Sequence, residues 1–265
     1  MRCTLFFFIL ATTFSLLCGL GSAARARVYT KCARPGTFAI TFDDGPYIYT
    51  EQLVDWLNKN KFVATFFVNG DNWGSIYDYA AVLRKAYNAG HLIASHTWSH
   101  ADLTKLSTTQ IRTEMTRLEA ALKKILGVRP TFMRPPYGSC KFLLFSSILI
   151  HLGNGKLTDA KHLFRTPANN KVLDTLGNLG YKVILWDIDT LDYNGDVEAS
   201  KNIYETSLQN SNSRTDAHIA LQHDVHQATV DQLAKFAYDY VHKKGYRTVT
   251  VAECLGFGKG AGYRK

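Results

Sequence analysis

The sequence predicts an α/β fold, and within that class a distorted (β/α) barrel, which need not be complete, with about seven parallel strands. From Phe38 onward, runs rich in β-branched and aromatic residues alternate with segments of helical periodicity, and several strand-like runs end in polar residues. The 265 residues, 46% of them hydrophobic, suffice for one large domain with a substantial core. A doubly wound open sheet is the alternative architecture.

The first 23 residues differ in character from the rest of the chain. Arg2 precedes a long apolar run, and small residues follow it from Gly21 to Ala24. This layout is typical of a cleaved secretory signal peptide, so we expect 1–23 to be removed and 24–265 to form one secreted domain, extracellular or in the cell wall. An uncleaved membrane anchor is the alternative, because the run approaches the length needed to span a bilayer.

Seven predicted strands alternate with six predicted helices. The strands are FAITFD, FVATFFV, HLIAS, TFMRP, YKVILWDID, HIALQHD and YRTVTVA, and the helices lie near 50–60, 78–89, 107–126, 170–179, 197–209 and 229–244. The clearest helix opens at Ser107 with a capping-box pattern that includes Gln110, and Gly127 ends it.

The first predicted strand ends in two adjacent acids, Asp43 and Asp44, before a Gly-Pro turn. Such residues form ordinary solvated turns, but two neighbouring carboxylates also repel each other. At the edge of a core this repulsion is tolerated most easily if one carboxylate holds a cation and leaves the other free as a base.

Two histidines follow the third strand with a spacing of four residues. On one turn of helix, His96 and His100 would face the same side, as ligands of one divalent metal must. This spacing alone is weak evidence of a metal site, and it gains weight from Asp43 and Asp44 at another strand end.

Three further predicted strands also end in polar residues. Arg134 precedes a Pro-Pro turn, His223 and Asp224 follow an apolar run, and Asp187, Asp189 and Asp192 lie in or after the fifth strand. In a parallel barrel these positions converge on the carboxyl-terminal face, where active sites are built. For Asp187 and Asp189 we favour structural roles, since consecutive strand residues point in opposite directions, and we interpret Asp224 and His218 as loop or structural polar groups.

Five segments, in this order, resemble the motifs of the polysaccharide deacetylase family, the carbohydrate esterases with the nodulation-protein homology domain. They are TFDDGP, HTWSH, RPPYG, DTLDY and LQHD, and the resemblance extends from about Thr37 to Gly256. Within the family, the segments ASHTWSHADLT, MRPPYG, WDIDTLDY and VTVAECLG are most similar to secreted fungal chitin deacetylases.

The resemblance implies a divalent metal, zinc before cobalt, held by Asp44, His96 and His100, with Asp43 as the catalytic base. It also implies roles for further residues. These are Arg134 orienting the base through two hydrogen bonds, the backbone N–H of Tyr137 holding the oxyanion, His223 as the acid, Asp192 pairing with His223, and Tyr193, Leu221 and Trp98 contacting substrate. For Trp98, packing is an equal alternative.

The activity that the resemblance implies is removal of N-acetyl groups from N-acetylglucosamine residues of chitin or its oligomers. Peptidoglycan and acetylated xylan are neighbouring substrates, and a non-catalytic wall glycan-binding protein is the alternative from another class. Despite a net charge of +9, we expect no nucleic-acid partner, because lysines and arginines are dispersed without a binding motif. We expect a monomer without a membrane span after cleavage.

Of the five cysteines, Cys3 and Cys18 fall in the predicted signal peptide. Cys32 and Cys254 flank the two ends of the patterned domain, where a disulfide would close a very long loop. We therefore predict this bridge, with Cys140 as the leftover thiol.

An atypical insertion at about 141–168 separates the RPPYG motif from the next predicted helix. Its segment FLLFSSILI is apolar and uncharged, and would be an aggregation hazard if exposed. It is either a genuine lid or surface element or translated intron sequence, and we favour the second hypothesis. Because it follows Tyr137 closely, it could displace the backbone that the oxyanion needs, and a shift of about 1 Å could lower the rate on the order of a hundredfold.

Overall fold

The computed structural model describes residues 25–139 and 167–265, apart from the side chains of residues 167–169 and 259. The predicted signal peptide, Cys140 and the predicted insertion up to residue 166 lie outside the described residues. Within the described part, no helix combines the length and the apolar character needed to cross a bilayer.

A sheet of parallel strands forms the centre of the molecule. In chain order the strands are β1 (Val28–Tyr29), β2 (Thr37–Asp43), β3 (Thr65–Val68), β4 (Leu92–Ser95), β5 (Arg129–Pro130), β6 (Phe132–Met133), β7 (Lys182–Ile184), β8 (Ile188–Asp189), β9 (His218–His223), β10 (Arg247–Thr248) and β11 (Tyr263–Arg264). Eight of them pair in the order β1-β7-β6-β4-β3-β2-β9-β8, with β10 beside the start of β2. The sheet curls into an incomplete barrel, and the predicted fold class is confirmed.

Helices cover the outside of the curled sheet. They are α1 (Thr50–Lys59), α2 (Ala80–Asn88), α3 (Thr108–Leu126), α4 (Pro167–Asn178), α5 (Val197–Ser207), α6 (Ala234–Lys243) and α7 (Val251–Cys254). A π-helical turn at Thr229–Leu233 leads directly into α6. In α3 the Ser107 side chain accepts from the Gln110 N–H while the Gln110 side chain accepts from the Ser107 N–H, which is the predicted capping box, and Gly127 ends the helix in the left-handed conformation.

Parts of two predicted strands do not form strands. The run YKVILWDID splits into β7, which pairs with β6 and β1, and β8, which pairs with β9. In the run YRTVTVA only β10 forms a strand, and α7 follows, with the Thr250 side chain capping the N–H of Glu253. Both runs have strong β propensity, but strand pairing in the sheet divides the first run, and a helix cap ends the strand in the second.

The two ends of the described chain are fastened to the barrel. A disulfide joins Cys32 to Cys254, residues 222 positions apart in sequence, as predicted from their places at the domain ends. The antiparallel pair β5 and β11 holds the last residues beside the entrance to β6. The disulfide and this strand pair thus attach both ends of the described chain to the barrel.

Candidate active site

The candidate site lies at the carboxyl-terminal ends of neighbouring strands. Asp43 is the last residue of β2 and His223 the last of β9, while His96 and Arg134 come directly after β4 and β6. Asp43 and His223 are register partners across the parallel β2 and β9 pair, so their side chains leave the sheet on the same face. The predicted convergence of strand ends thus brings these side chains together.

Asp44, His96 and His100 form a compact set of potential metal ligands. One ligand atom from each lies within 4.8 Å of the other two. The Oδ1 atom of Asp44 is 3.1 Å from Nε2 of His100 and 3.4 Å from Nε2 of His96. Such a three-residue set leaves coordination positions open, as a catalytic metal requires.

The hydrogen-bond geometry of His96 fits a cation at this point. Its Nδ1 lies 2.7 Å from the carbonyl oxygen of Arg134, and a carbonyl only accepts, so Nδ1 carries the proton and Nε2 of the neutral ring keeps its lone pair. That lone pair faces Asp44 Oδ1, a buried acceptor with no hydrogen-bond partner in the described part of the chain. Two facing acceptors fit a shared metal ion.

The charge state of Asp44 agrees with this arrangement. Burial raises the pKa of Asp44, but hydrogen bonds and charge interactions with His100 and His96 lower it by more, so its pKa lies below the ordinary range, and a cation held between these side chains would act in the same direction. The carboxylate is therefore ionised over the whole physiological range and ready to bind a cation.

The two histidines do not share a turn of helix, so that prediction was wrong. Residues 96–100 form bends and irregular backbone after β4, and Thr97 and His100 have φ angles of 73° and 57°. These left-handed residues fold the loop back, and the two rings end 5.0 Å apart.

Asn69 is a site residue that the sequence analysis missed. Its Nδ2 donates to the carbonyl oxygens of His96 and Thr97, at 2.6 and 3.0 Å, and so fixes the loop that carries the ligands. Asn69 directly follows β3, so the same rule about polar residues at strand ends could have found it.

Asp43 is held by a buried arginine. Arg134 Nη1 donates to Asp43 Oδ1 at 2.7 Å, and both side chains are almost inaccessible to solvent. The expected pair of hydrogen bonds to the carboxylate was wrong, because Nη1 also donates to Thr41 while Nε and Nη2 donate to the carbonyls of Ile184 and Leu185. A guanidinium held by these four hydrogen bonds fixes the position of Asp43.

His223 and Asp192 form a second charged pair on the same face. His223 Nδ1 lies 2.8 Å from Asp192 Oδ1, while Asp192 Oδ2 accepts from the His223 N–H and from the Thr229 hydroxyl. Burial lowers the pKa of His223, but the hydrogen bond and charge of Asp192 outweigh it and raise the pKa to about 9. The imidazole is therefore protonated at neutral pH.

Aromatic and apolar residues surround these charges. The exposed ring of Tyr137 lies 4.8 Å from the ring of His100, and the exposed ring of Tyr193 lies 5.6 Å from that of His223. Leu221 is two residues before His223 on β9, so its side chain projects from the same face of the sheet. Tyr137 and Tyr193 are thus open to solvent beside the charged centre, whereas only 4% of Leu221 is exposed.

Trp98 does not lie where a sugar could stack on it. Only 6% of the residue is exposed, the Arg117 guanidinium lies 4.0 Å from the ring centre, and the backbone of Gly70 packs against the indole. The predicted contact between Trp98 and substrate is contradicted, and the packing alternative is the correct one.

Asp224 lies beneath the Asp43-Asp44 turn. Its Oδ2 accepts from the Thr50 hydroxyl, while its buried Oδ1 has no partner among the described residues. Burial raises its pKa to about 7, and the carboxyl group packs closely against Gly45. Asp224 thus supports the turn from below, which is a structural role, as expected.

Comparison with known proteins identifies the family. Residues 30–146 match the family described as polysaccharide deacetylase. A chitin deacetylase of a Pestalotiopsis species is 44% identical over 229 residues, which cover 86% of this chain and 67% of that protein. The chain belongs to the polysaccharide deacetylase family. By that membership it is an N-deacetylase-type enzyme.

Other relatives agree with this assignment. The chitin deacetylase of Colletotrichum lindemuthianum is 36% identical over 85% of this chain and 82% of its own length. Its solved structure superposes with a TM-score of 0.77 at 34% identity, covering 91% of this chain and 96% of that one. A probable peptidoglycan-N-acetylglucosamine deacetylase of Arthroderma benhamiae is 42% identical, but this chain spans only 48% of its length.

Proposed function

We propose that the protein removes N-acetyl groups from N-acetylglucosamine residues of chitin or chitooligosaccharides, and leaves acetate and a chitosan-like product. The observation that carries the proposal is the meeting, on one face, of the Asp44, His96 and His100 set with Asp43 and His223. The named activities of the fungal relatives support chitin as the polymer.

Asp44, His96 and His100 would hold the metal, for which we favour zinc, because two imidazoles and a carboxylate suit that ion. When bound, such a metal polarises a carbonyl oxygen and lowers the pKa of a coordinated water. The fixed tautomer of His96 and the ionised state of Asp44 prepare both for ligation.

The remaining residues would handle protons and charge. Asp43, held by Arg134, accepts a proton from the attacking water. The backbone N–H of Tyr137 donates to the developing oxyanion, which is the step where preorganised donors contribute most. His223, protonated beside Asp192, then gives its proton to the departing amine as the C–N bond breaks.

The substrate would lie across the exposed aromatic rings. Tyr137 and Tyr193 present apolar faces on two sides of the charged centre, and such faces pack against sugar rings. Leu221, on the same sheet face as Asp43 and His223, would contact the acetyl methyl group. Secretion and action at the cell wall follow from the predicted signal peptide and the polymer substrate, and both belong to the proposal.

The test is acetate release from chitin oligomers after chelation, with and without zinc or cobalt added back. We expect release only after metal is restored, and almost none from Asp43→Asn, which keeps the ligand set. Asp239→Asn removes an exposed acid on α6 and is the matched control with unchanged release. Metal-independent release, or full release by Asp43→Asn, would contradict the proposal.

Parallel assays should include peptidoglycan and acetylated xylan, because one relative carries the peptidoglycan name. A shortened chain without residues 141–168 belongs in the same series. Release only by the shortened chain would indicate that the insertion disables the site, and glycan binding without release by either chain would favour the non-catalytic function. Peptides from residues 142–163 in the native secreted protein would exclude a translated intron.

A further inference from the structure

A second cluster of reactive side chains lies at the start of β9, opposite the end that carries His223. His218 Nδ1 is 2.7 Å from Asp187 Oδ2, and His218 Nε2 is 2.8 Å from the hydroxyl oxygen of Ser211. Five residues of strand, roughly 17 Å, separate His218 from His223. The cluster is thus distinct from the deacetylase site.

The arrangement fixes which atom carries each proton. A carboxylate oxygen only accepts, so in the neutral ring Nδ1 bears the proton toward Asp187, and Nε2 is left to accept from Ser211. The other oxygen of Asp187 accepts from the N–H of Ile219 at 2.8 Å, which holds the carboxylate in place. Acid, imidazole and hydroxyl therefore stand in the order that activates a serine nucleophile.

The histidine ring is held by packing as well as by hydrogen bonds. Its centre lies 5.6 Å from the ring of Phe38 and 5.5 Å from that of Tyr246. The hydroxyl of Tyr246 also contacts the Ser211 hydroxyl. Because burial raises the pKa of Tyr246, its hydroxyl stays protonated and can donate to the serine oxygen.

A cavity gives this cluster access to small molecules. It has a volume of about 450 Å³, and Ser211 and His218 both line it. The lining is mostly small and polar, and Lys31, whose Nζ lies 3.8 Å from Asp187 Oδ2, brings a cation to it. Asp216 competes for the serine proton, but its Oδ2 is 3.2 Å from the hydroxyl oxygen, farther than His218.

We propose that Ser211, His218 and Asp187 form a second, metal-independent hydrolytic site for esters of small acids such as acetate. The Ser211 oxygen bonds to the ester carbonyl carbon as its proton moves to His218 Nε2, and that proton then passes to the leaving alcohol as the C–O bond breaks. Water attacks the acyl-serine, returns a proton to the Ser211 oxygen through His218, and releases the carboxylic acid.

The test uses the full chain after chelation, which removes the metal-dependent activity and separates the two proposals. A fluorophosphonate probe is added to the folded protein, and the labelled residue is located by peptide mass spectrometry. We expect label on Ser211, no label there in Ser211→Ala, and labelling slowed roughly a hundredfold or more in Asp187→Asn. Ser213→Ala, a serine in the same loop outside the cavity lining, should label like the parent chain.

Hydrolysis of p-nitrophenyl acetate in the Asp43→Asn background provides the second readout. It should persist after chelation and be lost with Ser211→Ala, while metal-restored acetate release from chitin oligomers by Ser211→Ala in the parent chain stays unchanged. Absence of label on Ser211 in the folded parent chain would overturn the proposal and leave the cluster as packing for the 208–218 loop. Chelation-resistant ester hydrolysis that survives Ser211→Ala would also overturn it.

Discussion

Asp43 and Asp44 are adjacent in sequence but have different surroundings. Asp43 ends β2 with its side chain toward Arg134, whereas Asp44 has a φ angle of 75°, which turns its side chain toward the histidines. Non-glycine residues adopt this left-handed conformation rarely, and aspartate is among those that tolerate it best. The φ angle of Asp44 therefore directs the two neighbouring carboxylates to different partners.

Replacing Asp192 by Asn should shift the pH dependence of the proposed deacetylation. His223 acts in its protonated form, and the charge of Asp192 raises the pKa of His223 to about 9. Without that charge the pKa falls, so kcat/KM should decline at a lower pH than in the parent enzyme, and the maximum should also drop. The measurement is kcat/KM on chitin oligomers from pH 5 to pH 10, with Asp239→Asn as the control.

The same pair affects stability with a defined sign. Because the folded pKa of His223 exceeds the ordinary value of 6.5, its stabilising contribution is complete below about pH 6.5 and is lost as the pH rises through about 9. Asp192→Asn should therefore lose most stability on the acidic side of this range. An unchanged alkaline limit in both activity and unfolding would contradict the assigned pairing.

Gly45→Ala should destabilise the turn below the acids. A Cβ atom at this position would lie 2.4 Å from Asp224 Oδ2, so the buried carboxyl group, which accepts from the Thr50 hydroxyl, would have to shift. We expect a loss of roughly 1–3 kcal/mol in the free energy of unfolding, with reduced zinc affinity. Denaturant titration and zinc binding measure the two effects. Gly258→Ala should change neither, because among the described residues no atom beyond its chain neighbours lies within 4 Å of the added carbon.

At the scale of elements, alternation of strands and helices was predictable, and boundaries were not. The capping signal Thr250 to Glu253 was present in the last strand-like run, but its β-branched residues concealed it. The run at residues 181–189 has no breaking residue at all. It divides because its first part, β7, pairs with β6, whereas its second part, β8, pairs with β9 on the other side of the barrel's opening. The residue at which the run divides is therefore determined by the whole sheet and not by the local sequence.

The passage of the chain from β7 to β8 also explains how Arg134 is held in place. The carbonyl groups of Ile184 and Leu185, at the point where the chain leaves β7, point at the guanidinium and accept from it. The rings of Phe67 and Trp186 lie 4.2 and 5.3 Å from its central carbon. Sequence motifs identified Arg134, but its acceptors come from backbone that no side-chain pattern reveals.

Ser107→Ala tests an element whose start the sequence did reveal. The substitution removes the acceptor for the Gln110 N–H at the first turn of α3. We expect a loss of about 1 kcal/mol in the free energy of unfolding, with unchanged kcat/KM because α3 packs outside the barrel. Thr109→Ala, at an exposed position of the first turn, serves as the matched control. Equal effects of the two substitutions would argue against the capping box.

For the whole molecule, the bridge between Cys32 and Cys254 closes nearly the entire domain into one loop. Replacing both cysteines by alanine should lower the free energy of unfolding by roughly 2–5 kcal/mol, because the unfolded chain gains freedom. The metal-ligand set lies on the other face, so zinc affinity at low denaturant should be retained. Denaturant unfolding with and without zinc separates the two effects, and a loss of zinc binding in the folded variant would contradict this division.

Left-handed backbone is concentrated at the catalytic face. Of six non-glycine residues with positive φ in the described part of the chain, five lie in loops of this site, namely Asp44, Thr97, His100, Tyr137 and Leu191. Thr97 is the most unfavourable of them, since it is β-branched and its buried hydroxyl lacks a partner among the described residues.

These positions set a limit on engineering the enzyme for heat resistance. A search for stabilising substitutions would select them first, because glycine relieves a left-handed backbone by roughly 1 kcal/mol. Each such substitution in the site loops would also loosen a residue of the proposed site or the backbone next to one, so thermostability would rise at the expense of turnover. The sixth residue, Lys61, lies in the loop between α1 and β3, away from the site. Lys61→Gly should therefore raise stability without lowering turnover.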